Sequence, residues 1–461
     1  MKKILSLLIV SCVCAVSLAQ NIYVCKDGDY TTQSISEGLE IDLTSAPDSI
    51  MFVKPQIVPV VNIVYDGTAA TVTIPKCLTD SLICSSGTSS NVMLTYVGVS
   101  DEIVYNVSGS STDGSLVIKS DYKLTVNLNG VSLTSTKGEA MRFKCGKRVA
   151  LVMADGSVNT FADTNDNGVT LDESDTHKAC IYTKGHLEIS GAGTLNVTGN
   201  YNHAIATKEY LKVKKTVTAI NILAAANDAI HVGEYFQMNG GTLNIDGNTV
   251  NDGIQVEYKT DDLGEKVDDV ENTGAVVIND GTINVTMSKT QDTKCIKADG
   301  DVTINGGTVL LNPTARGTRG IQADGGITIT QAEDATTSIT INAKGGKCTL
   351  EEDEDDPHKC MGINVNGDIT IDAGTINITA SGPSANGMKS SRNLIVNGGT
   401  TTIAATATST NGMKIEGNVT FTGGTTTVTS TGKLSKGIVY SGTKSIGKGA
   451  TVNASFSYKQ E

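Results

Sequence analysis

The chain has 461 residues, 49 of them acidic against 36 basic, a formal net charge of −13, no tryptophan and 4% aromatics. An acid excess of this size argues against nucleic acid or an anionic surface as partner, because like charges repel. The absence of tryptophan also leaves little material for a flat aromatic platform under a sugar chain.

Residues 1–19 read as a secretory signal: Lys2 and Lys3, an apolar run over 4–18, and the small residues Ser17 and Ala19 at the cleavage point. Export to periplasm, cell surface or medium is the expectation, with Gln20 opening a mature chain of 34 basic and 49 acidic residues, net −15. The run ending at Cys12 has the outline of a lipoprotein box, but few apolar residues precede the cysteine and more follow it, so lipid anchoring is not expected. No later stretch approaches the roughly 18 apolar residues of a membrane-spanning helix.

Residues 20–66 carry strand-like segments broken by Gly, Asp and Pro turns and are expected to form a small N-terminal β module. Residues 67–111 read as a β region leading onward, and 112–461 as one repeating body. After the signal, eight cysteines remain. Cys77 with Cys84 and Cys348 with Cys360 are candidates to close short loops, since export permits disulfides. Cys180 and Cys295 read instead as small core-side residues.

The repeat is set by an Ile or Met preceded by a small residue: Ile181, Ile205, Ile230, Ile254, Ile296, Ile321, Ile363, Met388, Met413 and Ile438. Their spacings are 24, 25, 24, 42, 25, 42, 25, 25 and 25, so two copies carry an insert and the rest keep step. A fixed period of this length marks a stacked-repeat architecture. Within a copy, apolar residues come in pairs two apart, as at Ile363/Val365, Ile369/Ile371 and Ile376/Ile378, the period of a strand with one face inward. Glycine turns separate the pairs. Three short strands per copy, stacked in parallel, give an all-β fold: a right-handed parallel β-helix of about ten or more coils.

Several ordered segments, "LTVNLNGVSLTSTKGEAMRF", "ADGSVNTFAD", "KACIYTKGHLEISGAGTLNVTGN", "HAIATKEYL", "NDGIQ" and "GTINV" among them, resemble the carbohydrate-binding domain proteins of polysaccharide-using bacteria. The resemblance covers about residues 60–461. It implies a β-helix similar to that of pectate lyases, with calcium and a plant polysaccharide (cellulose or acidic pectic chains) as partners and no established catalysis.

Residues two and three before each start residue stack as columns: Asn202-His203, Asn227-Asp228, Asn251-Asp252, Thr293-Lys294, Thr318-Arg319. Asn227, Asp228, Asn251 and Asp252 place oxygen donors about 5 Å apart, and calcium takes six to eight oxygens. Glu257 and the first insert (Asp261, Asp262, Glu265, Asp268, Asp269, Glu271) would complete the set by folding back. A turn ladder, with Asn and Asp bonding backbone groups, is the other reading of the same column. A cation beside Lys294 or Arg319 would suit a polysaccharide lyase: the metal neutralises a uronate carboxylate and the basic residue takes the neighbouring C–H proton. Plain acid–base pairing that relieves charge stacking is the simpler reading of those two residues, since no other catalytic constellation surrounds them.

Tyr210 and Tyr235 share an offset in successive coils beside Glu209 and Glu234, and are candidates for stacking on a sugar chain. The acidic run at 351–356 is a second calcium candidate or a solvated loop. Asn239, Asn305 and Asn397, with Asp372, read as a structural ladder. The five histidines look scattered, and His203 with His231 falls short of a metal-ligand set. An exported carbohydrate-binding protein leads, ahead of a calcium-dependent lyase and a structural surface rod.

Overall fold

The computed structural model describes residues 21–26, 29–34, 49–51, 58–85, 89–99, 102–164, 176–261, 263–350 and 357–459. The expected signal segment, Asp262 and the acidic run at 351–356 lie outside the described residues.

Strands form where the period-two pattern puts every second side chain inward. Thr282–Met287 alternates part-exposed with buried along its length, and Val302 and Ile304 are buried on either side of a part-exposed Thr303. Stacking these segments in parallel produces the β-helix, with the right-handed winding that parallel crossovers take.

Among the described residues one sheet has fifteen strands, and its register is the repeat itself. Ile181 pairs with Ile205, Ile205 with Ile230, Ile230 with Ile254 and Ile254 with Ile296. The ladder continues through Ile321, Ile363, Met388 and Met413 to Ile438. The two inserts therefore leave the register untouched. The first loops out after Ile254–Val256, and the second enters just before Met361–Val365. Two further sheets close the coil. They merge at the long strands Lys123–Ser135 and Val419–Ser430, each of which turns a corner and pairs in both. The core they enclose is one continuous column of Ile, Val and Leu. One corner demands glycine: Gly307 has φ +85°, and a Cβ there would sit 2.5 Å from the Gly281 carbonyl oxygen.

Asn21–Lys26, Asp29–Ser34 and Ser49–Met51 form a separate antiparallel sheet. Val60–Asp66, however, pairs in parallel with Glu102–Ser111, so the helical sheet runs back across the expected boundary at residue 66. Asn91–Tyr96 likewise pairs with Ser115–Lys119, which carries the fifteen-stranded sheet across the expected start at 112.

Polar ladders run along the outside. Asn221 Nδ2 donates to Asn196 Oδ1, Asn244 Nδ2 to Asn221 Oδ1, and Asn284 Nδ2 to Asn244 Oδ1, each at 2.8 Å. A second ladder joins Asn305, Asn279 and Asn239, and Asn397 donates to Asp372. Cys180 and Cys295 are buried in the core, as their small-residue positions suggest. Cys348 and Cys360 are separate thiols, and the Cys360 thiol donates to the Pro313 carbonyl.

Candidate functional site

The corner before each front-sheet strand presents the −3 and −2 columns, and the structure fills them with hydrogen bonds. Asn227 Nδ2 donates to Asn202 Oδ1 (3.0 Å) and Asn251 Nδ2 to Asn227 Oδ1 (3.1 Å). The Asp column bonds backbone: Asp228 Oδ1 accepts the Asp252 N–H (3.0 Å) and Asp252 Oδ1 accepts the Lys294 N–H (2.7 Å). Much of the oxygen set expected to cage calcium is thus engaged between coils, and Asp228 and Asp252 are each about 98% buried. The donors that do converge there are different. His203 Nδ1 and His231 Nδ1 lie 3.2 and 3.1 Å from Asp228 Oδ2, with the two rings stacked 4.5 Å apart. Two nitrogens to one carboxylate is a poor fit for calcium, which prefers an all-oxygen shell.

Charge in this corner is distributed unevenly. Burial alone would raise the Asp228 carboxyl, yet the two imidazoles hold it well below the usual carboxylate range. Asp252, one coil along, is pushed up to about 6, first by burial and then by the Asp228 carboxylate, against the pull of Lys294. Burial lowers His203, while Asp228 and Glu257 outweigh burial and raise His231. Glu257 stands 3.7 Å from His231 Nε2 and takes the Gln255 amide on its other oxygen.

The side-chain charges of Lys294 and Arg319 go to Asp292, not to Asp228 or Asp252. The Lys294 ammonium donates to the Asp292 backbone oxygen (2.7 Å) and approaches its carboxylate (3.4 Å), while Arg319 donates to the same carboxylate (3.1 Å). His358, from the second insert, reaches it at 2.7 Å. Asp292 has φ +56°, a left-handed conformation that Asp tolerates better than most residues.

The first insert does fold back, onto a different column. Asn272 clamps it by bonding the backbone of Lys259 and Val267. Lys259 Nζ then bridges Glu209 (2.6 Å) and Glu234 (3.3 Å), and Tyr235 donates to Glu271 (3.4 Å). His186 completes this group at 2.7 Å from Glu209. Burial raises the carboxyl of Glu234. Tyr210 offers no face to a sugar: it is 7% exposed and lies 4.1 Å from the parallel His186 ring on one side. Tyr235 lies 5.0 Å away in the next coil, and the Lys212 ammonium covers Tyr210 at 4.0 Å. Burial pushes the Tyr210 hydroxyl up to about 12.

A cleft that no sequence column singled out opens farther along the same outer face. Arg319, Met361 and Asn386 stack in one column, and Asn364, Lys389 and Lys414 in the next. Pro357, His358 and Lys359 of the second insert complete a cavity of about 230 Å³. Lys389 and Lys414 share an offset, one residue after Met388 and Met413, and that repeat was the available signal. Five of the nine lining residues carry basic side chains, in a chain whose net charge is −13.

A family model described as "Carbohydrate-binding domain-containing protein" matches residues 91–382. A carbohydrate-binding domain-containing protein of Acetivibrio thermocellus is 30% identical over 112 residues, which is 24% of this chain and 39% of that relative's length. A solved structure described as the polysaccharide lyase-like protein from C. thermocellum, gadolinium derivative, is similar at a TM-score of 0.47 and 24% identity. That match covers 60% of this chain and 98% of the other.

Proposed function

The chain belongs to the family of carbohydrate-binding domain-containing proteins, and on that premise we propose that it is an exported protein that binds an acidic plant-type polysaccharide, pectic rather than cellulosic. The observation that carries this reading is the basic cleft between Arg319 and Lys414. Arg319, Lys359, Lys389 and Lys414 line this concave site, with Arg319 also paired to Asp292 and Lys414 to Glu416. Such basic side chains suit the carboxylates of uronic acid units, which form charge-assisted hydrogen bonds with them. At about 230 Å³ the cavity is smaller than the roughly 300–1,000 Å³ of a site that engulfs a whole ligand. It suits one unit of a chain that continues along the face.

Cellulose is the weaker candidate on physical grounds. A neutral chain gains nothing from basic side chains and is held mainly by flat aromatic surfaces, whereas Tyr210 is buried. This reading does not call on calcium: Asn227, Asp228, Asn251 and Asp252, the donors expected to hold it, carry hydrogen bonds between coils. The positively charged signal segment supports the export component.

Retention on immobilised polygalacturonate and on cellulose, with and without chelator, tests the proposal. Retention on polygalacturonate that survives chelator, and falls at least tenfold when Lys389→Ala and Lys414→Ala are combined, is expected. Equal retention on both polymers, or an unaltered double variant, overturns it.

A further inference from the structure

The geometry points to a site for a divalent transition-metal ion of the zinc class, formed by His203, Asp228 and His231. The ligand atoms are His203 Nδ1, His231 Nδ1 and Asp228 Oδ2, all lying within 4.8 Å of one another. Four ligands set tetrahedrally about 2.0–2.1 Å from a zinc ion stand about 3.3 Å from each other. The two nitrogen-to-carboxylate separations, 3.2 and 3.1 Å, match such edges. A purely hydrogen-bonded explanation is incomplete, because His203 Nδ1 is buried without a well-aligned hydrogen bond despite its closeness to Oδ2.

The surroundings are those of a held site. Asp228 is 2% exposed, and its other oxygen is pinned by the Asp252 N–H, which leaves Oδ2 as the free vertex. His231 turns its second ring nitrogen toward Glu257, 3.7 Å away, the outer partner that orients a ligating imidazole. The donor chemistry selects the ion: imidazole with one carboxylate suits zinc, copper or nickel, whereas calcium takes oxygen. Three protein ligands leave a fourth position for water or an oxygen of a bound molecule. The site shares the outer face of the fifteen-stranded sheet with the basic cleft. Asp228 precedes Ile230, which lies three rungs from Ile321 of the Arg319 strand, about 14 Å at one strand spacing per coil. The inference stands apart from the glycan reading, since no part of it depends on what the cleft holds.

The test uses full-length protein stripped with chelator and titrated with zinc chloride by calorimetry. One zinc per chain at micromolar affinity or tighter is expected, undisturbed by a tenfold excess of calcium. Cobalt in place of zinc should give the visible absorption of a four-coordinate nitrogen–oxygen site. His231→Gln, at a half-buried position, should weaken zinc at least tenfold, as should His203→Ala, while His186→Ala in the neighbouring Glu209 group leaves it unaltered. Far-UV circular dichroism establishes that each variant is folded. No zinc binding, displacement by calcium, or full binding in both His203→Ala and His231→Gln overturns the assignment.

Discussion

Lys294 gives its backbone N–H to Asp252 at 2.7 Å and sends its ammonium the other way, to Asp292. The residue that looked like a base beside a buried acid column is thus a rung of that column, with its charge turned toward the basic cleft. Asp252 keeps a buried carboxyl, offset in part by the Lys294 charge and by the Lys294 backbone N–H.

This arrangement has a pH signature. The folded-state value of Asp252 is about 6 against an ordinary 3.8, so its contribution to stability is full below 3.8 and lost as pH rises through 6. Two units correspond to about 3 kcal/mol. Asp252→Asn keeps an oxygen for the Lys294 N–H and removes the titration. Thermal unfolding in chelator should show the variant gaining on the parent between pH 4 and 7. Asp228, held low, has the opposite sign: its contribution is present above 3.8 and fades as pH falls below it. A variant-to-parent gap that stays constant over pH 4–7 would sink the Asp252 argument.

Tyr210 fills a gap between His186 and Tyr235 and is not a sugar platform. Tyr210→Ala should cost roughly 3–5 kcal/mol in urea unfolding, the usual loss for a large buried aromatic. Polygalacturonate retention should remain at the parent level at temperatures where the variant is folded. Lost retention with unchanged stability would restore the sugar-stacking role.

Asn244 donates to Asn221 and accepts from Asn284, both at 2.8 Å. Asn244→Ala strands a partner in the coil on each side, and about 1–3 kcal/mol of stability should go with them. Asn244→Asp should be worse at pH 7 than at pH 3, since an ionised carboxylate has no hydrogen to give Asn221. Urea midpoints at the two pH values decide the point.

The basic cleft should reveal itself through salt. Raising NaCl from 0.1 to 1 M shortens the screening length from about 10 to about 3 Å. Retention on polygalacturonate should weaken at least tenfold over that range. Salt-independent retention would mean that hydrogen bonding or apolar contact, not charge, holds the polymer.

The fold was legible because its register is written in single residues: each start Ile or Met pairs with the next one. The ladders were legible for the same reason, as a column of Asn one coil apart has few places to send its amides. Contacts between columns were not. His203 belongs to the −2 column and His231 to the +1 column, and only the folded corner brings both to Asp228. Spacing carried a trace of it, since His231 follows Asp228 by three residues and His203 sits one coil earlier. A column also fixes where a backbone lies without fixing where four methylenes of lysine lead, which is how Lys294 escaped. Asp292, its actual partner, lies in a turn whose left-handed backbone no periodicity announces. The second insert looked like an acidic loop, and its contribution to the cleft comes from His358 and Lys359 just beyond the acids.

The asparagine ladders share a direction. In each of the chains Asn284–Asn244–Asn221–Asn196, Asn305–Asn279–Asn239 and Asn251–Asn227–Asn202, the later coil donates to the earlier one. Their amide dipoles therefore align head to tail and add, as peptide dipoles do along an α-helix. Each ladder has a positive and a negative end of its own, independent of the charged side chains. An asparagine joining a ladder on its carboxyl-terminal side must give an N–H and one joining on its amino-terminal side must offer an oxygen, as Thr160 does for Asn196, so the two ends of a ladder ask for different partners.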